Sequence, residues 1–259
     1  MNLEYESITH IGSHNNNDDY YLCKQIEDTY LFVVADGCGG YPGADLASRY
    51  FCEGMLHHAG AVYTEIKETP EKGILNLIQL AQQYMAENLY KANKPEGCTT
   101  VVLAWLNDKQ SVYAHVGDSR IYHLSSNQVL WHTKDHSVVQ NLIDAGAISE
   151  AESKHHVLQY MLAQAVDVHR TVNPTVSIQN PLQIGEGVVL ASDGFWRNVE
   201  NEDLFNLLYA QDLKKSLMQC VERIVKSNVE LDNVTAVFIR AQKNLYTLTY
   251  SLIKALLSQ

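Results

Sequence analysis

The chain has 259 residues, of which 46% are hydrophobic and 19% charged, values typical of a folded globular protein rather than a disordered or fibrous one. Thirty acidic residues against nineteen basic ones give a formal net charge of −11, which argues against nucleic acid or an anionic membrane as a partner. The five cysteines form no C-x-x-C pair, and no apolar run approaches the roughly 20 residues that span a bilayer. The sequence therefore predicts a cytoplasmic protein without a disulfide framework.

Short apolar segments and two long helical patterns make up the first 91 residues. The segment at 30–35 (YLFVVA) is a continuous apolar run with the length of a buried strand, and it ends at Asp36. Thr69 followed by Pro70 is typical of the start of a helix. The predicted elements are strands at 5–11, 20–26 and 30–35 and helices at 44–58 and 70–91.

The rest of the chain contains a block of strands and then mainly helices. Closely spaced strands with short turns between them indicate an antiparallel sheet. The predicted strands lie at 99–106, 111–116, 120–124, 129–132, 171–178, 187–191 and 234–240, and the predicted helices at 137–145, 149–164, 201–209 and 213–227. Strands clustered in blocks between helices predict an α+β fold built in layers, with one domain over residues 1–242.

The last residues, 243–259, carry apolar side chains at helical spacing between Leu245 and Leu257. This pattern predicts a C-terminal helix. The helix would dock on its own domain or, as the alternative, bind a partner protein.

Two apolar strands deliver an aspartate followed by glycine to their C-terminal ends, at Asp36-Gly37 and Asp193-Gly194. Because glycine lacks a side chain, a backbone carbonyl at such a position can approach a ligand closely. Carboxylate, carbonyl and water oxygens are the ligands that Mg²⁺ and Mn²⁺ prefer. The pattern predicts a metal site, although Asp-Gly is also a common tight-turn dipeptide.

Three further acidic segments stand next to predicted strands. They are Asn17-Asp18-Asp19, Gly117-Asp118-Ser119-Arg120 and Asp232-Asn233. Each segment alone fits ordinary turn chemistry. Their combination with the two Asp-Gly segments favours a shared cation site, since buried carboxylates need a compensating charge.

Together these segments resemble the protein phosphatase 2C (PPM) family in its compact bacterial form. The matching pieces follow the family's order over nearly the whole chain and include DG-x-GG, GDSR, SDG and DN-x-T, a highly specific combination. They are Gly12 with Asn17-Asp18-Asp19, VVADGCGGYPGADLAS (33–48), GCTTVVL (97–103), AHVGDSRIY (114–122), HTKDHSVVQNLIDAGAIS (132–149), VVLASDGFW (188–196) and DNVTAVFI (232–239).

The resemblance implies a four-layer α-β-β-α sandwich of two antiparallel sheets flanked by helices, with metal ions at one edge of the sheets. It implies that residues 1–242 are the catalytic domain and that 135–164 is the family's flap, a segment beside the active site. Phosphoserine and phosphothreonine in proteins would be hydrolysed by a water or hydroxide bound to two Mn²⁺ or Mg²⁺ ions. The implied partners are phosphorylated products of a serine/threonine kinase, and the implied state is a monomer.

The resemblance also assigns roles to single residues. Asp36 would bridge two ions, the Gly37 carbonyl would bind one of them, and Asp193 and Asp232 would bind the other. Asp19 would hold metal-bound water, with Asp18 beside it as a further metal or water contact. Asp118 would help to bind a third, weaker ion.

Three positions depart from the family pattern. His14 stands where many members have the arginine that grips the substrate phosphate, so His14 is the candidate phosphate-binding and catalytic residue beside Asp36 and Asp193, and an ordinary surface histidine is the alternative. Asp18 replaces a glutamate. The loop reads DGCGGY, with Cys38 and Tyr41, and Cys38 is either oxidation-sensitive or a small buried hydrophobic residue.

Two other functions remain open at this point. The changes at His14 and Asp18 would suit a non-catalytic module that keeps the fold and binds phosphoproteins. A different di-metal hydrolase, such as a nuclease, is disfavoured by the acidic net charge.

Overall fold

The computed structural model describes residues 1–125 and 128–242. Its strands are β1 (Leu3–His10), β2 (Asp19–Ile26), β3 (Thr29–Asp36), β4 (Val101–Leu106), β5 (Ser111–Val116), β6 (Arg120–Ser125), β7 (Gln128–His132), β8 (Thr175–Gln179), β9 (Glu186–Ala191) and β10 (Val234–Ala241). Its helices are α1 (Ala44–Glu68), α2 (Pro70–Lys91), α3 (Val138–Asp144), α4 (Glu150–Ser153), α5 (Asp193–Trp196), α6 (Asn201–Leu208) and α7 (Leu213–Ser227).

The strands form two five-stranded antiparallel sheets. One sheet has the order β1-β10-β9-β6-β7 and the other β2-β3-β4-β5-β8. Helices α1 and α2 cover the second sheet, and α6 and α7 cover the first. The two sheets face each other, so the chain is the α-β-β-α sandwich that the resemblance to the family implies.

Alternating side chains of the central strands fill three separate apolar layers. In β3, Leu31, Val33 and Ala35 pack against α1 and α2, whereas Phe32 and Val34 face the opposite sheet. Because both faces of such a strand are buried, its sequence is a continuous apolar run rather than an alternating one. This is why the predicted strand at 30–35 ends where burial ends, at Asp36.

Most predicted elements are confirmed within a few residues. The first helix is longer than predicted and continues from 58 to Glu68, where it meets the start of α2. The helix predicted at 149–164 is wrong, because only Glu150–Ser153 is helical. Beyond it, the backbone bonds across the segment instead of along a helix: Val138 N–H donates to Met161 O at 2.8 Å, and Ala163 N–H donates to His136 O at 2.8 Å.

One short helix, α5, was not predicted. It is a single turn that begins directly after β9 and carries Asp193 in its first position. The C-terminal helix predicted for 243–259 lies outside the described residues. Among the helices of residues 1–242 that are described, none is both long enough and apolar enough to cross a membrane.

Candidate active site

Asp36 and Asp19 are paired at one edge of the second sheet. Asp36 is the last residue of β3, and Asp19, the first residue of β2, lies opposite it in the antiparallel register. The Asp36 carbonyl accepts hydrogen bonds from Thr100 N–H at 2.8 Å and from the Thr99 hydroxyl at 2.9 Å. The end of β3 that carries the Asp36 carboxylate is therefore held by Thr99 and Thr100, which directly precede β4.

Gly37 follows Asp36 where three backbone segments meet. A Cβ atom at this position would come within 2.3 Å of Ala44 O and 2.9 Å of Asp18 O, distances that no side chain tolerates. Gly37 N–H donates to Asp18 O at 3.0 Å. The glycine of the Asp-Gly pair is thus required by this close approach, which ties the start of α1 to the loop before β2.

The Ser192 hydroxyl joins the two sheets behind the carboxylates. It donates to Asp19 Oδ2 at 2.8 Å and accepts from Thr235 N–H at 2.9 Å. Since Ser192 follows β9 in one sheet and Asp19 begins β2 in the other, this hydroxyl fixes the acidic ends of both sheets relative to each other. Ser192 is completely buried.

Asp193 and Asp118 approach from the first sheet and from the loop between β5 and β6. Both are at least nine-tenths buried. The Arg197 guanidinium contacts both carboxylates: its Nε lies 3.0 Å from Asp193 Oδ2, and its Nη2 lies 3.5 Å from Asp118 Oδ2. Trp196 Nε1–H donates to Asp118 O at 2.9 Å.

Asp232 lies just before β10 and is more exposed than the other acids. Its side chain is 59% exposed, and His14 Nε2, itself on a side chain 56% exposed, lies 3.3 Å from Asp232 Oδ1. The neighbouring Asn233 side chain donates to Ile11 O at 2.7 Å and accepts from Asp18 N–H at 2.7 Å. Asn233 thereby holds the whole loop that carries His14 and Asp18 against the first sheet.

These residues meet around two adjoining cavities. A cavity of about 770 Å³ is lined by Asp36, Asp118, Asp193 and Asp232, together with residues 157, 158 and 160–164 of the predicted flap segment. A second cavity, of about 890 Å³, is lined by His14 and Arg197 and shares Asp193, Asp232 and Tyr160 with the first. The structure therefore brings the acids from both sheets together and places His14 on the far side of Asp232.

Burial and mutual repulsion dominate the electrostatics of the acids. Burial raises the pKa of the Asp36 carboxyl well above its ordinary value, and the charges of Asp19 and Asp193 raise it further. Burial together with the Asp193 and Asp135 carboxylates raises the pKa of Asp118 to about 7, although Arg197 opposes the shift. Carboxylates placed so close together are stable as anions only when a cation joins them.

The donor set fits a hard divalent cation. The buried Asp19 Oδ1 receives no hydrogen bond from the described residues, so this oxygen is free to bind a cation or a water. In the described part of the chain, no three acidic, histidine or cysteine side chains converge tightly enough to enclose an ion alone. Mg²⁺-type ions are bound through one or two carboxylates and keep several waters, which matches acids that line a cavity.

A family model, described as protein phosphatase 2C, matches residues 8–227 of this sequence, which is most of its length. The chain belongs to the protein phosphatase 2C family. Among similar proteins of this family, the serine/threonine phosphatase stp of Listeria welshimeri is 28% identical over 246 residues, covering 92% of this chain and 95% of that protein. The protein phosphatase PhpP of Streptococcus pneumoniae is 23% identical over 242 residues, covering 92% and 97%.

Solved protein phosphatase 2C structures share the fold. The serine/threonine phosphatase Stp1 of Staphylococcus aureus aligns with a TM-score of 0.84 at 24% identity over 94% of this chain and 96% of that one. The catalytic domain of PstP in complex with two manganese ions aligns with a TM-score of 0.73 at 22% identity, covering 92% and 97%.

The structure also places residues that the sequence did not single out. Ser192 and Arg197 contact predicted ligands, and Cys98 lies beside Cys38, whose N–H donates to Cys98 O at 2.9 Å. The signal for Arg197 was its spacing of four from Asp193, which brings two side chains together only on a helix. Since α5 was not predicted, that ion pair could not be foreseen.

Proposed function

We propose that this protein phosphatase 2C is a metal-dependent phosphoprotein phosphatase that hydrolyses phosphoserine and phosphothreonine monoesters. The observation that carries the proposal is the cavity at one edge of the two sheets, which Asp36, Asp118, Asp193 and Asp232 line together. The names of the relatives, serine/threonine phosphatases from several bacteria, support the same reaction.

The proposed cofactors are two Mn²⁺ or Mg²⁺ ions, in line with the PstP structure that contains two manganese ions. Asp36 and the Gly37 carbonyl, with Asp193 and Asp232, are the proposed ligands. Bound there, such ions supply a nucleophilic water near neutral pH and neutralise charge on the phosphoryl oxygens. Asp118, the candidate ligand of a third ion, already forms an ion pair with Arg197.

Asp19 and Asp18 have supporting roles in this proposal. Asp19 keeps one oxygen bonded to the Ser192 hydroxyl, which leaves its Oδ1 to accept a hydrogen bond from a water molecule and orient that water. Burial raises the pKa of Asp18, and the Asp45 charge adds to the effect. A nearby cation would therefore stabilise the ionised form of Asp18 as well. Both acids support the ions from the β2 side of the cavity.

The phosphate group of the substrate would lie on the His14 side. His14 and Arg197 line the second cavity; His14 Nε2 lies 3.3 Å from Asp232 Oδ1, and Arg197 Nε lies 3.0 Å from Asp193 Oδ2. Tyr160, in the flap and 67% exposed, lines both cavities and would contact the polypeptide around the phosphorylated residue. The acids would thus hold the metal ions on one side of the site. His14, Arg197 and Tyr160 would contact the phosphate and the peptide on the other side.

The proposed partners are phosphorylated proteins made by serine/threonine kinases, and neither nucleic acid nor membrane is among them. We propose that the protein acts as a monomer in the cytoplasm. The five cysteines at 23, 38, 52, 98 and 220 are all free, which supports a reducing compartment. The proposed division into a catalytic domain (1–242) with a flap (135–164) and a C-terminal helix (243–259) follows the same family pattern.

The direct test is hydrolysis by the purified full chain of p-nitrophenyl phosphate and of a phosphothreonine peptide, with and without Mn²⁺. We expect turnover of both substrates with Mn²⁺ and none after chelation. Calorimetry with Mn²⁺ on the same sample separates the enzyme from a non-catalytic binding module. Absence of turnover on both substrates, despite bound Mn²⁺, would refute the proposal.

A further inference from the structure

Arg197 occupies an unusual place for an arginine in a site that is expected to attract cations. Its guanidinium bridges the Asp193 and Asp118 carboxylates, at 3.0 and 3.5 Å. Asp193 begins α5, Asp118 lies in the loop between β5 and β6, and both acids line the same cavity. The guanidinium therefore stands between two carboxylates that would otherwise be free to share an ion.

The arginine is held in this position from other sides. Its guanidinium carbon lies 4.5 Å from the centre of the Trp196 ring and 4.8 Å from the centre of the Tyr160 ring. Its Nη2 also donates to Gln159 O at 3.3 Å. With 23% of the side chain exposed, Arg197 is a fixed part of the wall and not a surface arginine that moves aside freely.

Trp196 is in turn fixed on both sides. Its indole N–H donates to Asp118 O, and the Arg120 guanidinium stacks on its ring at 3.5 Å. Arg120 is itself anchored by two hydrogen bonds to Asp135, at 2.7 and 2.9 Å. The guanidinium groups of Arg120 and Arg197 thus both lie against the Trp196 ring, and Arg197 also contacts the two acids.

A divalent ion on Asp118 and Asp193 would have to share these oxygens with the guanidinium. Like charges a few ångströms apart in a buried site repel strongly, and a fixed guanidinium cannot be deprotonated to relieve the repulsion. Arg197 Nε donates to Asp193 Oδ2 at 3.0 Å, and Arg197 Nη2 forms an ion pair with Asp118 Oδ2 at 3.5 Å, so one oxygen of each acid already faces a positive charge. The third ion expected at Asp118 from the resemblance to the family does not fit these surroundings.

We propose that Arg197 is this chain's own third cation, which takes the place of a third metal ion between Asp118 and Asp193. This inference rests on the proposed function, because it assumes that two divalent ions bind at Asp36 and its neighbours. In this arrangement Asp193 binds a metal ion and also pairs with Arg197. Asp118 pairs with Arg197 and binds no metal ion.

The arrangement has a consequence for the flap. Arg197 contacts flap residues Gln159 and Tyr160 with the same guanidinium that contacts the two acids. A metal ion in its place would have no side chain that reaches the flap. Arg197 is therefore a positioning residue that connects the flap to Asp118 and Asp193. This connection does not depend on the metal concentration.

The test is the number of Mn²⁺ ions bound by the purified full chain, measured by calorimetric titration and by equilibrium dialysis. We expect the unchanged protein to bind two ions. Arg197→Met, which keeps length and packing against Trp196 but removes the charge, should bind a third, weaker ion. Arg197→Gln is the second neutral variant, and thermal melting checks that each variant is folded.

Three controls locate the effect. Arg197→Lys keeps a positive charge and should still bind two ions. Arg223→Ala removes an arginine from another ion pair, with Asp203 between α6 and α7, and should also bind two. Adding Asp118→Asn to Arg197→Met should remove the third ion again.

Three results would overturn the inference while leaving the proposed function intact. The first is three ions on the unchanged protein, and the second is two ions on both folded neutral variants. A third ion that survives Asp118→Asn would place it elsewhere and would also overturn the inference. No Mn²⁺ binding by any of these proteins would refute both this inference and the proposed metal dependence.

Discussion

The two sides of the site are built in different ways. On one side, Asp19, Asp118 and Asp193 are buried and Asp36 is partly buried, and we call these four residues the buried acids. On the other side, His14 and Asp232 form the exposed pair, with 56% and 59% of their side chains accessible and one contact of 3.3 Å between them.

This difference shows which side chains of the site are held by the fold. Each buried acid is positioned by backbone pairing, by the Ser192 hydroxyl or by Arg197, so the fold and the charge cluster support each other. The exposed pair depends on one loop held by Asn233. Changes among the buried acids should therefore cost far more than changes at His14, because buried charges have no solvent to replace a lost partner.

The largest effect is expected for Asp36→Asn. The amide keeps the shape of the side chain but removes the negative charge that would help to hold the proposed metal ions, so we expect activity to fall roughly a thousandfold or more, as loss of a metal contribution of several kcal/mol implies. Asp28→Asn is the matched control. Asp28 lies in the turn at the opposite end of the same β2–β3 hairpin and is 61% exposed. Similar losses in both variants would contradict the comparison.

A smaller effect, on stability, is expected for Ser192→Ala. The change removes the donor to Asp19 and the acceptor for Thr235 N–H, and leaves a buried carboxylate with fewer partners. We expect a loss of about 1–3 kcal/mol in the free energy of unfolding, or roughly 3–10 °C in Tm. Ser177→Ala, at the edge strand β8, should shift Tm by less. An unchanged Tm for Ser192→Ala would show that the link between the sheets is not structural.

The buried side also contains a histidine stack, and its pH dependence should differ from that of an exposed histidine. His115 and His136 stack at 4.4 Å, and burial, together with the neighbouring His115, lowers the pKa of His136 to about 4. Because the unfolded chain binds this proton more readily, the neutral His136 contributes stability that is complete above about pH 6.5 and is lost as pH falls toward 4.

His136→Asn should therefore flatten the fall of Tm between pH 6.5 and 4 by a few degrees. The measurement is the Tm difference between the two proteins at several pH values, since other titrating groups then cancel. A difference that stays constant across this range would contradict the assignment. Asp135, which opposes the shift, must be kept unchanged in both proteins.

The smallest effect is expected at the exposed pair. His14→Arg would supply a permanent guanidinium where the imidazole now lies against Asp232, and charge-assisted bonds to phosphate contribute about 1 kcal/mol more than neutral ones. We expect KM for a phosphothreonine peptide to fall about threefold to tenfold, with kcat little changed. His132→Arg, on β7, is the control. A KM that is unchanged or higher would mean that His14 does not face the phosphate.

Much of the site could be predicted from the sequence because its acids end apolar strands. A strand buried on both faces is visible as a continuous apolar run, and the first polar residue after it marks the sheet edge, as Asp36 does after 30–35. The backbone conformation of the predicted flap segment (135–164) could not be predicted in the same way. Its apolar residues at helical spacing, among them Val157 and Met161, are exposed rather than packed, so the pattern indicated a helix that the backbone does not form.

The sequence by itself determined the layers, the strand ends and the identity of the acids, because burial periodicity and local motifs are recorded residue by residue. Only the tertiary structure decided which side chains contact one another in the site. The Ser192 hydroxyl bonds to Asp19, which lies 173 positions away in the chain, and Arg197 contacts Asp118 in the loop between β5 and β6. Such contacts depend on how the sheets and the single turn of α5 are oriented, and no local pattern fixes the distance between groups that far apart in the chain.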